Sequence, residues 1–367
     1  MRKIFRHLHL WISVPFGLVI VVICFTGALL VYENDITDAV MSKRIVVEPV
    51  GEPLPVKMLA DKVSATLSDG VRVTGVTVSS NPESAYKVNI SKPRHAAVYM
   101  NQYTGEVVAE YQRLPFFRTT MRLHRWLMDS NPGEGGLFWG KIVVGVSTIA
   151  FVLLLITGVV VWWPKNRKML KNRLNIVLSK GKNRFWYDLH VAGGFYAFVL
   201  LLAMALTGLT WSFDWYGKAF YDLFAGKETA TKNETTAGKK DNRGMVADAD
   251  AWQRALDAVI ARNPDFGQVT VSDGTVTLRK ASSWGNCRAS DKYIYNKVNG
   301  EIESVVPYKE SDRRSKARGW VYTIHTGLWG GALSKLLTFL AALLGASLPL
   351  TGYYFWIRRL YGKRKRK

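Results

Sequence analysis

The chain has 367 residues, 48% of them hydrophobic, and carries 50 Lys/Arg against 28 Asp/Glu for a net charge of +22. Three short segments, 1–9, 164–189 and 358–367, hold 18 of those Lys/Arg against the single acid Asp188, or +17 of the total. No basic groove with aromatic platforms is left to bind nucleic acid, and Cys24 and Cys287 alone cannot build a disulfide framework.

The charge is confined because four uncharged runs, 10–32, 142–163, 191–213 and 336–357, are each long enough to span a membrane. The first is too long for a secretory core, and no small-residue cleavage site follows it before Glu33 and Asp35, so it reads as a retained helix. The positive-inside rule puts the three basic segments, and with them both termini, in the cytoplasm. The predicted order is the N-terminus and first span (1–33), an external unit with the segment leading to the second span (34–137) and the second span (138–163). A basic cytoplasmic loop (164–189), the third span (190–213), a second external unit (214–335), the fourth span (336–357) and a basic tail (358–367) follow.

Within the first external unit, residues 56–67 have helical spacing, and 71–78, 85–90, 97–100 and 107–111 read as strands, with an Asn101-Gln-Tyr-Thr-Gly105-Glu hairpin before the last. The second runs the same course: a helix at 249–261, strands at 269–271, 276–280, 291–295 and 302–306, and the turn Asn296-Lys-Val-Asn-Gly300-Glu. Residues 227–243, rich in Lys, Thr, Asn and Gly, read as a mobile linker. The fold class predicted is a transmembrane four-helix bundle with two external α+β units, internally duplicated.

The duplication is plainest at the histidines. His9 and His190 each open an uncharged run, with a Thr-Gly pair seventeen residues on, at Thr26 and Thr207. At helical rise this is about 26 Å, nearly the thickness of a hydrocarbon core. His124 and His325 each precede the second helix of their unit, and the connection from His124 to Thr157 is seven residues longer than that from His325 to Thr351. Topology then sets His9 and His190 near one face and His124 and His325 near the other. Two imidazoles at each face suit the axial positions of a haem iron, and without a C-x-x-C-H motif that haem would be held non-covalently, as b-type haem, one per pair.

His7 competes with His9, but only His9 keeps the repeat spacing, and two residues apart on a helix point in nearly opposite directions. His95 reads as surface. Arg6, Arg122, Arg125 and Arg184 lie near enough in sequence to meet haem propionates or, equally, lipid headgroups, while ten of the 13 tryptophans cluster near span ends as an interfacial belt would. The helix glycines serve close packing or admit a porphyrin edge. No strand-linked G-x-G-x-x-G occurs, since Gly133-Glu-Gly-Gly136 has the wrong spacing. No catalytic residue is assigned, the four histidines being read as cofactor ligands.

The paired Leu-His openings, the Thr-Gly endings and the Asn-x-x-x-Gly-Glu turns, in this order and duplicated, resemble the PepSY-associated transmembrane protein family over nearly the whole chain. The resemblance implies periplasmic PepSY domains at 34–120 and 246–308, a bacterial inner-membrane location and a part in iron uptake. Some members are ferric-siderophore reductases with b-type haem between the helices, which carries ligand roles onto His9, His124, His190 and His325. A ferric siderophore is then the expected substrate, and a quinol or cytoplasmic reductase the electron donor. The alternative is a non-enzymatic PepSY membrane protein binding a periplasmic peptide, cell-wall or protease partner. A metal permease is disfavoured, because the spans hold no Asp, Glu or Lys.

Overall fold

The computed structural model describes residues 2–133, 136–226, 250–280 and 284–364. The expected linker 227–243 and Glu134 and Gly135 of the Asp129 to Gly136 turn lie outside the described residues. In chain order the first half contains α1 (Arg2–Val31), α2 (Glu33–Ser42), α3 (Val56–Ser64), β1 (Val73–Ser79), β2 (Tyr86–Ile90), β3 (Ala97–Met100), β4 (Val107–Tyr111), α4 (Pro115–Trp126) and α5 (Trp139–Trp162). Two short helices, α6 (Arg167–Leu174) and α7 (Lys182–Asp188), lead through a π-helical turn, Leu189–Gly193, into α8 (Gly194–Ser212). The second half continues with α9 (Asp214–Ala225), α10 (Ala251–Arg262), β5 (Phe266–Ser272), β6 (Thr275–Lys280), β7 (Asp291–Tyr295), β8 (Ile302–Val306), α11 (Arg313–Thr326) and α12 (Gly331–Arg364).

Four of these helices are long and apolar enough to cross a membrane: α1, α5, α8 and α12, the first continued by α2 and the third preceded by α7. Helix α1 packs on α5 and α12, and α8 packs on the same two, so α1 and α8 occupy opposite corners of a four-helix bundle. Small side chains allow the close approach: Ala197, Ala205, Ala341 and Ala346 join Ile20, Cys24, Phe151, Leu154 and Leu201 in the bundle core. Outward-facing residues such as Leu18 (66% exposed) and Val199 (69%) leave an apolar flank that water would not tolerate over this length and lipid would. At one end Arg173 donates to the carbonyls of Val161 and Trp162 at the close of α5, and Arg2 to that of Trp163, satisfying carbonyls that helix geometry leaves open.

At the other end, strand positions largely follow the alternation of the sequence, and β3, β4, β7 and β8 begin and end where it predicts. The two hairpin turns are the same structure: Gly105 and Gly300 take positive φ (71° and 77°), and each donates its N–H to the carbonyl of Asn101 or Asn296 at 2.8 Å. Two separate external units were the expectation. Instead all eight strands form one antiparallel sheet, ordered β4-β3-β2-β1-β5-β6-β7-β8. Its central seam pairs Val76 with Val271 and Val78 with Val269, and the hydroxyls of Thr77 and Thr270 meet across it at 2.9 Å. Each four-stranded piece alone would expose β1 or β5 as an unpaired inner edge, and pairing them removes both edges.

Helices α3 and α10 cover one face, so Leu59, Val63, Leu256 and Val259 share a single core with Val76, Val88, Val271 and Val276. Because that core crosses the seam, Leu256→Ala, in a side chain 1% exposed, should cost about 2–5 kcal/mol and reduce hydrogen-exchange protection in β1 to β4 as well as β5 to β8. Protection lost in β5 to β8 alone would mean that the halves unfold independently. One ion pair ties the end of this layer to the bundle, where the Arg113 guanidinium, just past β4, forks onto Glu33 at the start of α2, and two more join helices beside it: Lys335 of α12 pairs with Asp35 of α2 at 2.7 Å, and Arg314 of α11 meets Asp222 of α9 at 3.2 Å.

Candidate metal centres

Each of the four histidines is placed by a different piece of helix, and each is held by a Thr-Gly pair on a neighbouring one. His9 lies in the early turns of α1, and its Nδ1 is 3.0 Å from Thr157 Oγ1 of α5. His190 sits in the π-helical turn before α8, with Nδ1 2.8 Å from Thr351 Oγ1 of α12. His124, near the end of α4, places Nδ1 3.2 Å from Thr26 Oγ1 and 2.9 Å from the Ile23 carbonyl of α1. His325, near the end of α11, does the same to Thr207 Oγ1 (3.1 Å) and the Met204 carbonyl (2.9 Å) of α8.

The glycine after each threonine lies against the ring edge. A Cβ at Gly27, Gly158, Gly208 or Gly352 would stand 3.0, 3.4, 3.1 or 3.9 Å from the Cε1 of His124, His9, His325 or His190. These glycines are thus the floor of four imidazole cradles, a role that the reading of them as packing residues did not assign.

The carbonyls of Ile23 and Met204 can only accept, so Nδ1 carries the hydrogen in His124 and His325. His9 and His190 present Nδ1 to a threonine hydroxyl in the same arrangement, and each of those hydroxyls also lies within hydrogen-bond reach of a carbonyl of its own helix, Thr157 of Leu153 O and Thr351 of Ser347 O. Nε2 has no hydrogen-bond partner among the described residues in any of the four rings. An Nδ1–H fixed by a backbone or hydroxyl oxygen, with Nε2 open, is how a metal-ligating histidine is oriented.

The rings come together in two pairs. His9 and His190 have ring centroids 6.4 Å apart at an interplanar angle of 87°, and His124 and His325 are 6.2 Å apart at 63°. Two imidazoles bound from opposite sides of one first-row metal ion, each at about 2.0–2.1 Å, set their ring centres about 6 Å apart. The first pair belongs to the end of the bundle that carries the chain termini, and the second to the end beneath the sheet. His9 and Thr26, the residue that seats His124, are seventeen residues apart on α1, which separates the two pairs by about 26 Å.

The other candidates are placed elsewhere. His7 is exposed, and His95 sits exposed in the loop between β2 and β3 with φ 68°, outside any strand. Arg184 is committed to the buried Asp188 at 2.7 Å, and Arg122 to the Met128 carbonyl (2.9 Å) and Ser130 Oγ (3.2 Å). Arg6 is exposed. Arg125, stacked 5.0 Å over the Trp126 ring, is the one of the four that acts electrostatically on both His124 and His325.

A family model described as the PepSY-associated TM region matches residues 6–359. The chain belongs to that family. The match spans all four membrane helices, the sheet and all four paired histidines. No curated protein matches the chain.

Among the described residues of this PepSY-associated chain there is no cluster of three or more His, Cys, Asp or Glu that could close around an ion. A structural zinc site, which takes four protein ligands, does not fit two imidazoles alone. Two imidazoles would be enough to hold a haem, whose other iron ligands come from the cofactor itself. The surroundings agree with a flat apolar guest: Trp211 meets the His325 ring edge-on at 5.0 Å. Trp162, five residues past Thr157, stacks on Phe195 at 3.9 Å and buries its indole N–H without an acceptor among the described residues.

Proposed function

We propose that the protein is a di-haem electron carrier of the bacterial inner membrane that reduces ferric-siderophore iron on the periplasmic side. One observation carries the reading: four imidazoles, each held at Nδ1 by a threonine and with Nε2 unpartnered among the described residues, come together in two pairs at opposite ends of a membrane bundle. His9 and His190 would hold one b-type haem, and His124 and His325 the other. A haem iron held by two imidazoles would supply a one-electron couple, which suits electron transfer over oxygen chemistry.

The chain's own part is to hold and orient. Thr26, Thr157, Thr207 and Thr351 keep each ring from turning its open nitrogen away. The glycines beside them let the rings lie flat against the helices, and the apolar core between the two ends excludes water. Ferric iron prefers hard oxygen chelators, so its reduction loosens the complex and frees the metal. The +17 on the short segments supports cytoplasmic termini and a periplasmic sheet, where the two halves of an internally duplicated chain would form its PepSY part. Electrons would enter at the His9–His190 end from a quinol or a cytoplasmic reductase and leave at the His124–His325 end.

An absorption spectrum tests this. The full chain, purified from cells supplied with haem, should show a Soret band and about two extractable, non-covalent haems per chain. Absence of the band leaves the alternative of a non-enzymatic protein that binds a peptide, cell-wall or protease partner. A reporter fused to the C-terminus should be active on the cytoplasmic side, and activity in the periplasm would invert the proposed direction of transfer.

A further inference from the structure

Beside His325 the sheet end of the bundle holds a cavity of about 500 Å³ that the haem reading does not use. It lies between the end of α8, α9 at Tyr221, the segment that enters β7, the turn after β8, and α11. Its volume is that of a small-molecule site. Three cations line it, Arg288, Lys292 and Arg318, together with the hydroxyls of Ser290 and Tyr308, and no carboxylate does.

These cations are held in an unusual way for surface charges. The Arg288 guanidinium lies 4.0 Å over the Tyr322 ring, and that of Arg318 5.7 Å over Tyr221. Ring faces attract a cation without consuming its N–H groups. Among the described residues none of the three makes an ion pair or donates a side-chain hydrogen bond. Planar donors positioned and unspent in a concave, acid-free wall are what carboxylate recognition requires.

The positive field extends beyond the cavity. His95, exposed in its loop yet partly desolvated, is held below the ordinary histidine pKa by that desolvation and then by Arg94, Arg113 and Arg288, with Glu33 opposing. Arg125 adds its charge beside the His124–His325 pair. The cavity is also in contact with that pair, since Trp211 is part of its wall and touches the His325 ring at 5.0 Å. An occupant would lie one indole away from an axial imidazole.

We propose that this cavity is an oxyanion site, in which Arg288, Lys292 and Arg318 bind the carboxylate or phenolate oxygens of a small ligand. Such oxygens have two sources here. One is a propionate of the group held by His124 and His325. The other is a soluble anionic ferric chelate, which rests on the proposed function and narrows its substrate class to negatively charged, oxygen-rich complexes.

The test uses gallium citrate, a redox-inert stand-in for a ferric chelate, titrated calorimetrically into the purified full-length protein, with Lys292→Gln/Arg318→Gln and Arg288→Gln as variants. Saturable binding that weakens roughly tenfold or more in the variants, with an unchanged haem spectrum, assigns the cavity to a soluble anion. No gallium citrate binding, but a shifted midpoint potential or reduced occupancy at the His124–His325 centre in the variants, assigns it to a propionate. Variants that keep their circular dichroism and change neither quantity overturn the proposal, and Lys292→Gln alone, at an exposed position, covers the case where the others fail to fold. A wild-type chain without haem would defeat the proposed function yet leave the gallium citrate result to decide the cavity.

Discussion

His9→Ala and His124→Ala should each give a folded protein with about half the haem of the wild-type chain, and the half lost should differ. The two pairs are about 26 Å apart along α1, so no ring of one pair can serve the metal of the other. Loss of His9 leaves His190 alone, and loss of His124 leaves His325 alone. Each remaining imidazole then faces the metal without its partner, and the hold that two ligands would give at that site is lost. In His9→Ala the surviving haem should no longer be reducible by the native donor, whereas in His124→Ala it should be reduced normally while ferric-siderophore reduction fails. Haem per chain and donor-driven difference spectra measure both effects. If either change empties both centres in a protein that still folds, two independent sites are the wrong description.

Gly140→Ala should have an effect nearly as large without touching a ligand. Gly140 is the second residue of α5, buried, and a Cβ there would stand 1.9 Å from the carbonyl oxygen of Trp126 and 2.6 Å from Asp129 Cβ. Trp126 is the last residue of α4, two beyond His124, and its backbone oxygen cannot swing aside as a side chain can. The contact is further fixed by the Gly140 N–H, which donates to the Asp129 carboxylate at 2.8 Å and, with the Ser130 N–H, holds that carboxyl below its usual pKa. A methyl group must therefore push α4 off α5 and lift His124 from its seat on Thr26 and Gly27. Overpacking of this kind costs about 1–3 kcal/mol, and the displaced ring should cost the His124–His325 centre its haem while the His9–His190 centre keeps its own. Gly194→Ala is the control, because a Cβ there meets only the Leu348 side chain at an ordinary 3.4 Å. Equal haem in the Gly140→Ala and Gly194→Ala proteins would show that α4 is not what positions His124.

The sequence makes the spans, most strand positions and the identity of the paired histidines legible, because each rests on a local period or on spacing repeated within the chain. The Thr-Gly pairs were visible only as markers at the ends of runs. Their function is across the bundle, where Thr26 seats a histidine 98 residues away and Thr207 one 118 residues away. No spacing along a single helix reports such a partner. The seam between β1 and β5 is hidden for the same reason: Thr77 and Thr270, hydrogen-bonded across it, are 193 residues apart. Helices α4 and α11 were not anticipated as separate elements, and they are what bring His124 and His325 down onto α1 and α8. The three cations of the cavity carry no motif at all, since Arg288 and Lys292 precede or begin a strand and Arg318 lies on a helix.

Each centre takes one imidazole from each half of the chain, and the seam of the sheet welds those halves together. An assembly of two identical half-length subunits could form the same pairs, but whatever it placed on one side of its axis it would place on the other. Here Trp211, in the wall of the cationic cavity beside His325, has Leu30 at the corresponding distance past the earlier Thr-Gly pair. Under the proposed function, one chain with two unlike halves would offer a docked acceptor a single exit, and so a single orientation of the molecule, where two identical half-length subunits would offer two equivalent ones.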